Sequence, residues 1–267
     1  MELFKMSVAI AMVLLLSLIA ERVSPSLAGI LCGYPLGVAI TLFFVGYEIS
    51  PEFASKSALF TAVGLIGTQA SAYGYYRFSL LAQGRGRVQQ VAISAIGGLA
   101  VFFSIAAIVH LAKVDLLTAI FLPSSAILLF IFLFRDVENM RIEKKFTAGM
   151  RSLMLRAVFA GTVVCLTTGV ADSVGPAWAG LFAAFPMTIV PSAMIIHFTH
   201  DLEHTHAFLK NVPRGIGSAV VYALALRVFY PRFGVFAGTL ICYAIATIYL
   251  VMLSFGVGFL RSRQLQS

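Results

Sequence analysis

Ala20-Glu21-Arg22-Val23-Ser24-Pro25-Ser26-Leu27-Ala28-Gly29, running on to Pro35, returns as Ala171-Asp172-Ser173-Val174-Gly175-Pro176-Ala177-Trp178-Ala179-Gly180, running on to Pro186. The copies lie 151 residues apart without a gap, and six of their sixteen positions are identical. Glu21 meets Asp172, so an acid stays an acid. Extending the same register pairs Lys5 with Arg156, Glu52 with Glu203, Gly64 with Gly215 and Phe78 with Phe229. An internal repeat of this length sets the architecture before any local reading does.

The environment follows from composition. The 267 residues are 60% hydrophobic and only 11% charged, where a soluble domain carries about 25% charged residues. Apolar runs of roughly 20 residues recur throughout, the length that crosses a bilayer core as helix. The expectation is an all-α, polytopic membrane protein whose standing partners are membrane lipids. The net charge of +8 fits the Lys and Arg excess that membrane proteins keep in cytoplasmic loops. No basic face exists outside those loops, so a nucleic-acid partner is not expected. Cys32, Cys165 and Cys242 sit far apart in apolar segments and read as small core residues. Met1–Ala20 has the look of a signal peptide, but its counterpart, Arg156 leading into Val158–Val170, lies deep in the chain. It is therefore read as a retained helix.

Nine helices are predicted, at about Lys5–Ala20, Ser26–Gly46, Ser57–Tyr76, Val91–Leu111, Leu116–Phe134, Leu153–Val170, Ala177–His197, Val212–Tyr230 and Val235–Leu260. Residues 1–112 form one four-helix repeat and 151–267 the second. Residues 113–150 supply a linking helix and the charged stretch that begins at Arg135. An odd linking helix makes the two repeats enter the membrane from opposite sides. One set of loops, with the C-terminus, holds 14 of the 19 Lys and Arg and the other holds 5. The positive-inside rule puts the 14-charge side in the cytoplasm and the N-terminus outside. Inverted repeats of this kind are a recurring plan of secondary transporters.

Pro35 and Pro186 each fall near the middle of a predicted helix, where a missing N–H and a steric clash kink or break the turn. Gly33 eases the first break, and Pro191 adds a kink to the second copy. A break would leave two half-helix N-termini at the bilayer midplane, favourable to anionic groups. Gly29, Gly33, Pro35, Gly180, Pro186, Thr188 and Ser192, with Thr41, are the candidate substrate path. The bland alternative is that both prolines only kink their helices, which neighbouring groups tolerate. Glu21 and Asp172, with Glu52 and Glu203, are candidate gate or proton-carrying residues. Helix-end acids favoured by the dipole of the next helix account for Glu21 and Asp172 equally simply.

All but one of the five histidines fall in His197-Phe198-Thr199-His200-Asp201-Leu202-Glu203-His204-Thr205-His206. His200 and His204, spaced i,i+4, would share a helix face able to hold Zn²⁺. No HExxH or CxxC pattern fixes such a site, so a solvated cytoplasmic loop is the expectation. No nucleophile–base pair or phosphate loop stands out, and neither an enzyme nor a cofactor is expected.

Ala28-Gly29, Tyr34-Pro35, Gly46-Tyr47-Glu48, Glu52 and Gly64 resemble the pattern of the GlpM family of small four-helix bacterial inner-membrane proteins. The second copy keeps Ala179-Gly180, Phe185-Pro186, Glu203 and Gly215, and departs from it at His197 and Thr199. The resemblance implies two fused, antiparallel GlpM-like units in a bacterial inner membrane. The expected function is secondary transport or export of a small anionic or zwitterionic solute or lipid-related molecule by alternating access. A non-transporting scaffold or accessory subunit of an envelope-assembly complex is the alternative, and self-association is compatible with either.

Overall fold

The computed structural model describes residues 7, 8, 10, 11, 33–138 and 150–264. The described residues are all-α. They form α1 (Leu36–Glu48), α2 (Pro51–Leu81), α3 (Arg87–Leu111), α4 (Leu116–Leu133), α5 (Met150–Ala183), α6 (Ile189–Thr199) and α7 (Leu202–Gln264). Spans in α3, α4, α5 and α7 are long and apolar enough to cross a bilayer. Along α4, Leu117, Phe121, Leu128, Leu129 and Phe132 are all at least half exposed. Water would not tolerate so continuous an apolar face, whereas lipid solvates it. The chain is an integral membrane protein.

Where the sequence predicts nine helices, the described residues form seven helical elements. Two pairs of expected helices run together, each pair joined through one non-helical glycine. Gly175 in α5 has φ 77° and ψ 172°, and Gly234 in α7 has φ 72° and ψ −179°. Only a residue without Cβ adopts those angles cheaply, and Pro176 then starts the next helical run with its φ already set. The first expected helix, together with Glu21, Gly29 and Cys32, lies outside the described residues apart from Ser7, Val8, Ile10 and Ala11. Most of the charged stretch after Asn139 also lies outside them.

Two expected loops are helix. The polar segment Tyr47–Lys56 gives way at Pro51 to α2, because Ser50 Oγ accepts from the Phe53 amide at 3.0 Å and Pro51 occupies the first helical position. The His-rich run is not a solvated loop either. His197 lies in the last turn of α6 at 2% exposure, and α7 begins at Leu202, ten residues earlier than expected, with His206 9% exposed. The linking helix lies as expected. α4 is capped by Asp115, whose carboxylate accepts from the Thr118 amide at 2.8 Å. Those Thr118 hydrogen bonds hold the exposed Asp115 carboxyl below its ordinary range.

α2 is the organising element, for it packs against every other helix. Small residues make up most of its buried face, among them Ala54, Ala58, Ala62, Gly64, Gly67, Ser71, Ala72 and Gly74. Small residues let helices approach closely in lipid, where association rests on packing rather than on expulsion of water. α3 exploits this directly: a Cβ on Gly98 would sit 2.8 Å from the Ser71 carbonyl oxygen. The first part of α7 lies antiparallel to α2. At one end Ser55 Oγ donates to the Arg227 carbonyl, and at the other His206 meets Ser79 and Tyr76.

Candidate functional site

Neither repeated proline lies inside a continuous helix. α1 starts only at Leu36, after a turn at Gly33–Pro35, with Pro35 as its N-cap. α5 ends at Ala183, the chain turns through Ala184–Thr188, and α6 starts at Ile189. Pro35 and Pro186 are both buried, so neither is a kink turned toward lipid. At the second break the Phe185 and Ala184 amides bond back to Phe182 and Leu181 in tight turns, and Met187 donates to the Phe185 carbonyl at 2.7 Å. At the first, Leu36 donates to the Tyr34 carbonyl at 2.7 Å.

Each break rests on the long helix of the other half. A Cβ on Gly33 would lie 2.4 Å from the Gly215 carbonyl carbon, so this is backbone against backbone. Ala184 Cβ lies 3.0 Å from the Cβ position of Gly64. Shifting Gly33 forward and Gly215 back by 151 gives Ala184 and Gly64, so one contact is the image of the other. The same exchange turns the Ser55–Arg227 pair into His206–Tyr76, whose ring centroids are 4.6 Å apart. The freed carbonyls are treated alike. Ser218 Oγ donates to the Gly33 carbonyl at 3.3 Å, and Thr68 Oγ1 donates to that of Ala184. Satisfying such groups is obligatory where no water competes.

The two breaks also meet each other. A Cβ on Gly37, in the first turn of α1, would touch Met187 Sδ at 3.0 Å. Gly180 seats the helix before the second break on α2, where Thr61 Oγ1 donates to its carbonyl at 2.9 Å. Of the remaining path candidates, Ser192 and Thr41 are buried on α6 and α1, and Thr188 is the half-buried N-cap of α6. Aromatic surroundings distinguish the breaks. Tyr34 donates to or accepts from Thr247 at 2.7 Å and stacks with Tyr243, whereas Phe185 packs on Phe102, Phe103 and Phe159.

The acidic candidates stand apart from this centre. Asp172, Glu52 and Glu203 are all exposed. Glu203 does rim a cavity of about 280 Å³ shared with Asp136, Val137, Glu138, Tyr76 and His206, beside which Lys210 Nζ donates to the Val137 carbonyl. His200 and His204 come together with ring centroids 5.7 Å apart. Partial burial and the neighbouring His204 hold the His200 imidazole below its ordinary value, against a smaller pull from Asp201. No group of three or more potential metal ligands occurs among the described residues.

Several structural polar residues are not evident from local sequence. His197 Nδ1 meets Tyr75 at 3.1 Å and His206 Nε2 meets Ser79 at 2.8 Å. Arg87 closes the end of α6 by donating to the carbonyls of Phe198 and His200, each at 3.2 Å. The available signal is the apolar spacing Leu209, Val212, Ile216, which continues back through Thr205 and carries His206 onto the buried face. Comparison with protein-family models, with curated proteins and with solved structures finds no match to this chain.

Proposed function

We propose that the protein is a secondary transporter built from two inverted repeats, with the paired helix breaks as its substrate site. One observation carries this reading: the non-helical turns at the two repeat-equivalent prolines meet each other through Gly37 and Met187. Discontinuous helices meeting near mid-membrane are how such transporters build binding sites. The antiparallel packing of α2 and α7 supports the inverted relation of the halves. Nine crossings are supported by α7 itself, whose 63 residues would extend about 95 Å as one rod. Such a helix fits a bilayer only by turning back at Gly234.

Loop contacts support the division of the loops into two sides that the charge count uses. Arg87 reaches His200 and Lys210 reaches Val137, all on the side assigned to the cytoplasm. Tyr47 meets Phe236 and His110 stacks on Trp178, all on the other side. The cargo is a small anionic or zwitterionic molecule. The half-helices α1 and α6 present their N-terminal dipole ends at the two turns.

Cysteine labelling tests both parts. In a protein lacking the native cysteines, Ser50→Cys should react from outside the cell and Arg85→Cys from the cytoplasm. Reaction of both from one side refutes the orientation. Met187→Cys should react with a small membrane-impermeant thiosulfonate although it lies at mid-membrane. A Met187→Cys that stays inert in a folded protein shows a sealed midplane, and the scaffold reading then replaces transport.

A further inference from the structure

An apolar groove of about 260 Å³ lies between α3 and α5, lined by Phe103, Val163, Leu166, Thr167, Val170, Phe182 and Phe185. Its place in the fold says what fills it. Both helices are membrane-spanning, and Leu166 at 64% and Phe103 at 46% exposure open it to the bilayer. Its depth is also defined. Val170 lies four residues before the Val174–Gly175 turn and Val163 eleven, about 6 Å and 16 Å along the helix at 1.5 Å per residue. That interval matches one leaflet of a hydrocarbon core about 30 Å thick. The inner end is Phe185, the residue that leads into Pro186 and the second break.

We infer that this groove receives the acyl chain of a lipid from the leaflet on the Asp172 side. The substrate path therefore opens sideways to that leaflet, and its cargo is an amphiphile rather than a freely water-soluble anion. This rests on the transporter reading and narrows its substrate class. A chain lying along the groove has its upper carbons at Val170 and its terminal methyl near Val163 and Phe185, beside the break. At the other break Tyr34 instead meets the hydroxyl of Thr247 and the ring of Tyr243.

The test uses purified full-length protein in nanodiscs containing phosphatidylglycerol with a photoreactive diazirine in one acyl chain. Crosslinks should be enriched several-fold in the groove over more exposed positions such as Leu128 and Leu240. A diazirine near the ester should mark Val170, and one near the chain end should mark Val163 or Phe185. Val163→Trp, which fills the groove, should remove the enrichment. Equal crosslinking at groove and control positions, or a reversed depth order, means annular lipid only and overturns the inference. A monoacyl phospholipid should also slow aqueous labelling of Thr188→Cys several-fold, while glycerol phosphate should not. If Met187→Cys still labels but the monoacyl lipid gives no protection, the path stands and the amphiphile assignment falls.

Discussion

Gly180→Leu is expected to abolish the folded protein, and Gly180→Ala to cost about 3 kcal/mol or more, at the upper end of overpacking penalties. A Cβ at this position would sit 2.1 Å from the Ser57 carbonyl oxygen and 2.9 Å from Phe60 Cβ. The first obstacle is helix backbone, which cannot rotate away as a side chain would. The contact also brings Thr61 Oγ1 to the Gly180 carbonyl, so separating the helices strands a polar group in lipid. Gly33→Ala should behave similarly against the Gly215 backbone. Gly169→Ala is the control, since nothing lies within 4 Å of the added atom, and it should stabilise its helix by about 0.5–1 kcal/mol. Thermal unfolding followed by size-exclusion chromatography in mild detergent reads all of these. A Gly180→Ala protein as stable as wild type would mean that this half-helix does not seat on α2.

The second large effect is functional. Pro35→Ala and Pro186→Ala should leave the protein folded and inserted, yet reduce aqueous reactivity of Met187→Cys. The double change should slow labelling roughly tenfold, a barrier increase of about 1.4 kcal/mol. Proline at 186 has no N–H to offer the Phe182 carbonyl, which instead accepts from Phe185 at 3.0 Å in a tight turn. Alanine restores the donor and removes the ring clash, so a continuous helix becomes accessible at that point. Closing either break withdraws a half-helix N-terminus from the proposed site. Undiminished labelling in the double variant would show that the prolines do not hold the breaks open.

Asp115 and the linking helix illustrate what was readable locally. An N-cap acid, a threonine three residues on and an apolar run define α4 without reference to anything else, and α4 lies where expected. The repeat was equally legible, because an offset of 151 survives in identities that need no coordinates. The two interruptions follow from proline chemistry, which acts on its own turn. Where tertiary context decides, it buries polar residues that local sequence places at the surface. Ser55, His197 and His206 look like surface residues, yet each is buried against the opposite half of the chain.

The amino-acid sequence by itself determined the membrane environment, the linking helix, the duplicated motif and the positions of its prolines. Each depends on hydrophobicity or on backbone chemistry within a few residues. Only the tertiary structure decided that the breaks meet at Gly37 and Met187, that His197 of α6 and His206 of α7 bond to α2, and that an apolar groove ends at Phe185. The first two join residues more than 100 positions apart, and the groove joins α3 to α5. Their energy comes from close packing of small residues and from hydrogen bonds that lipid cannot replace, so neither side of the contact announces it alone.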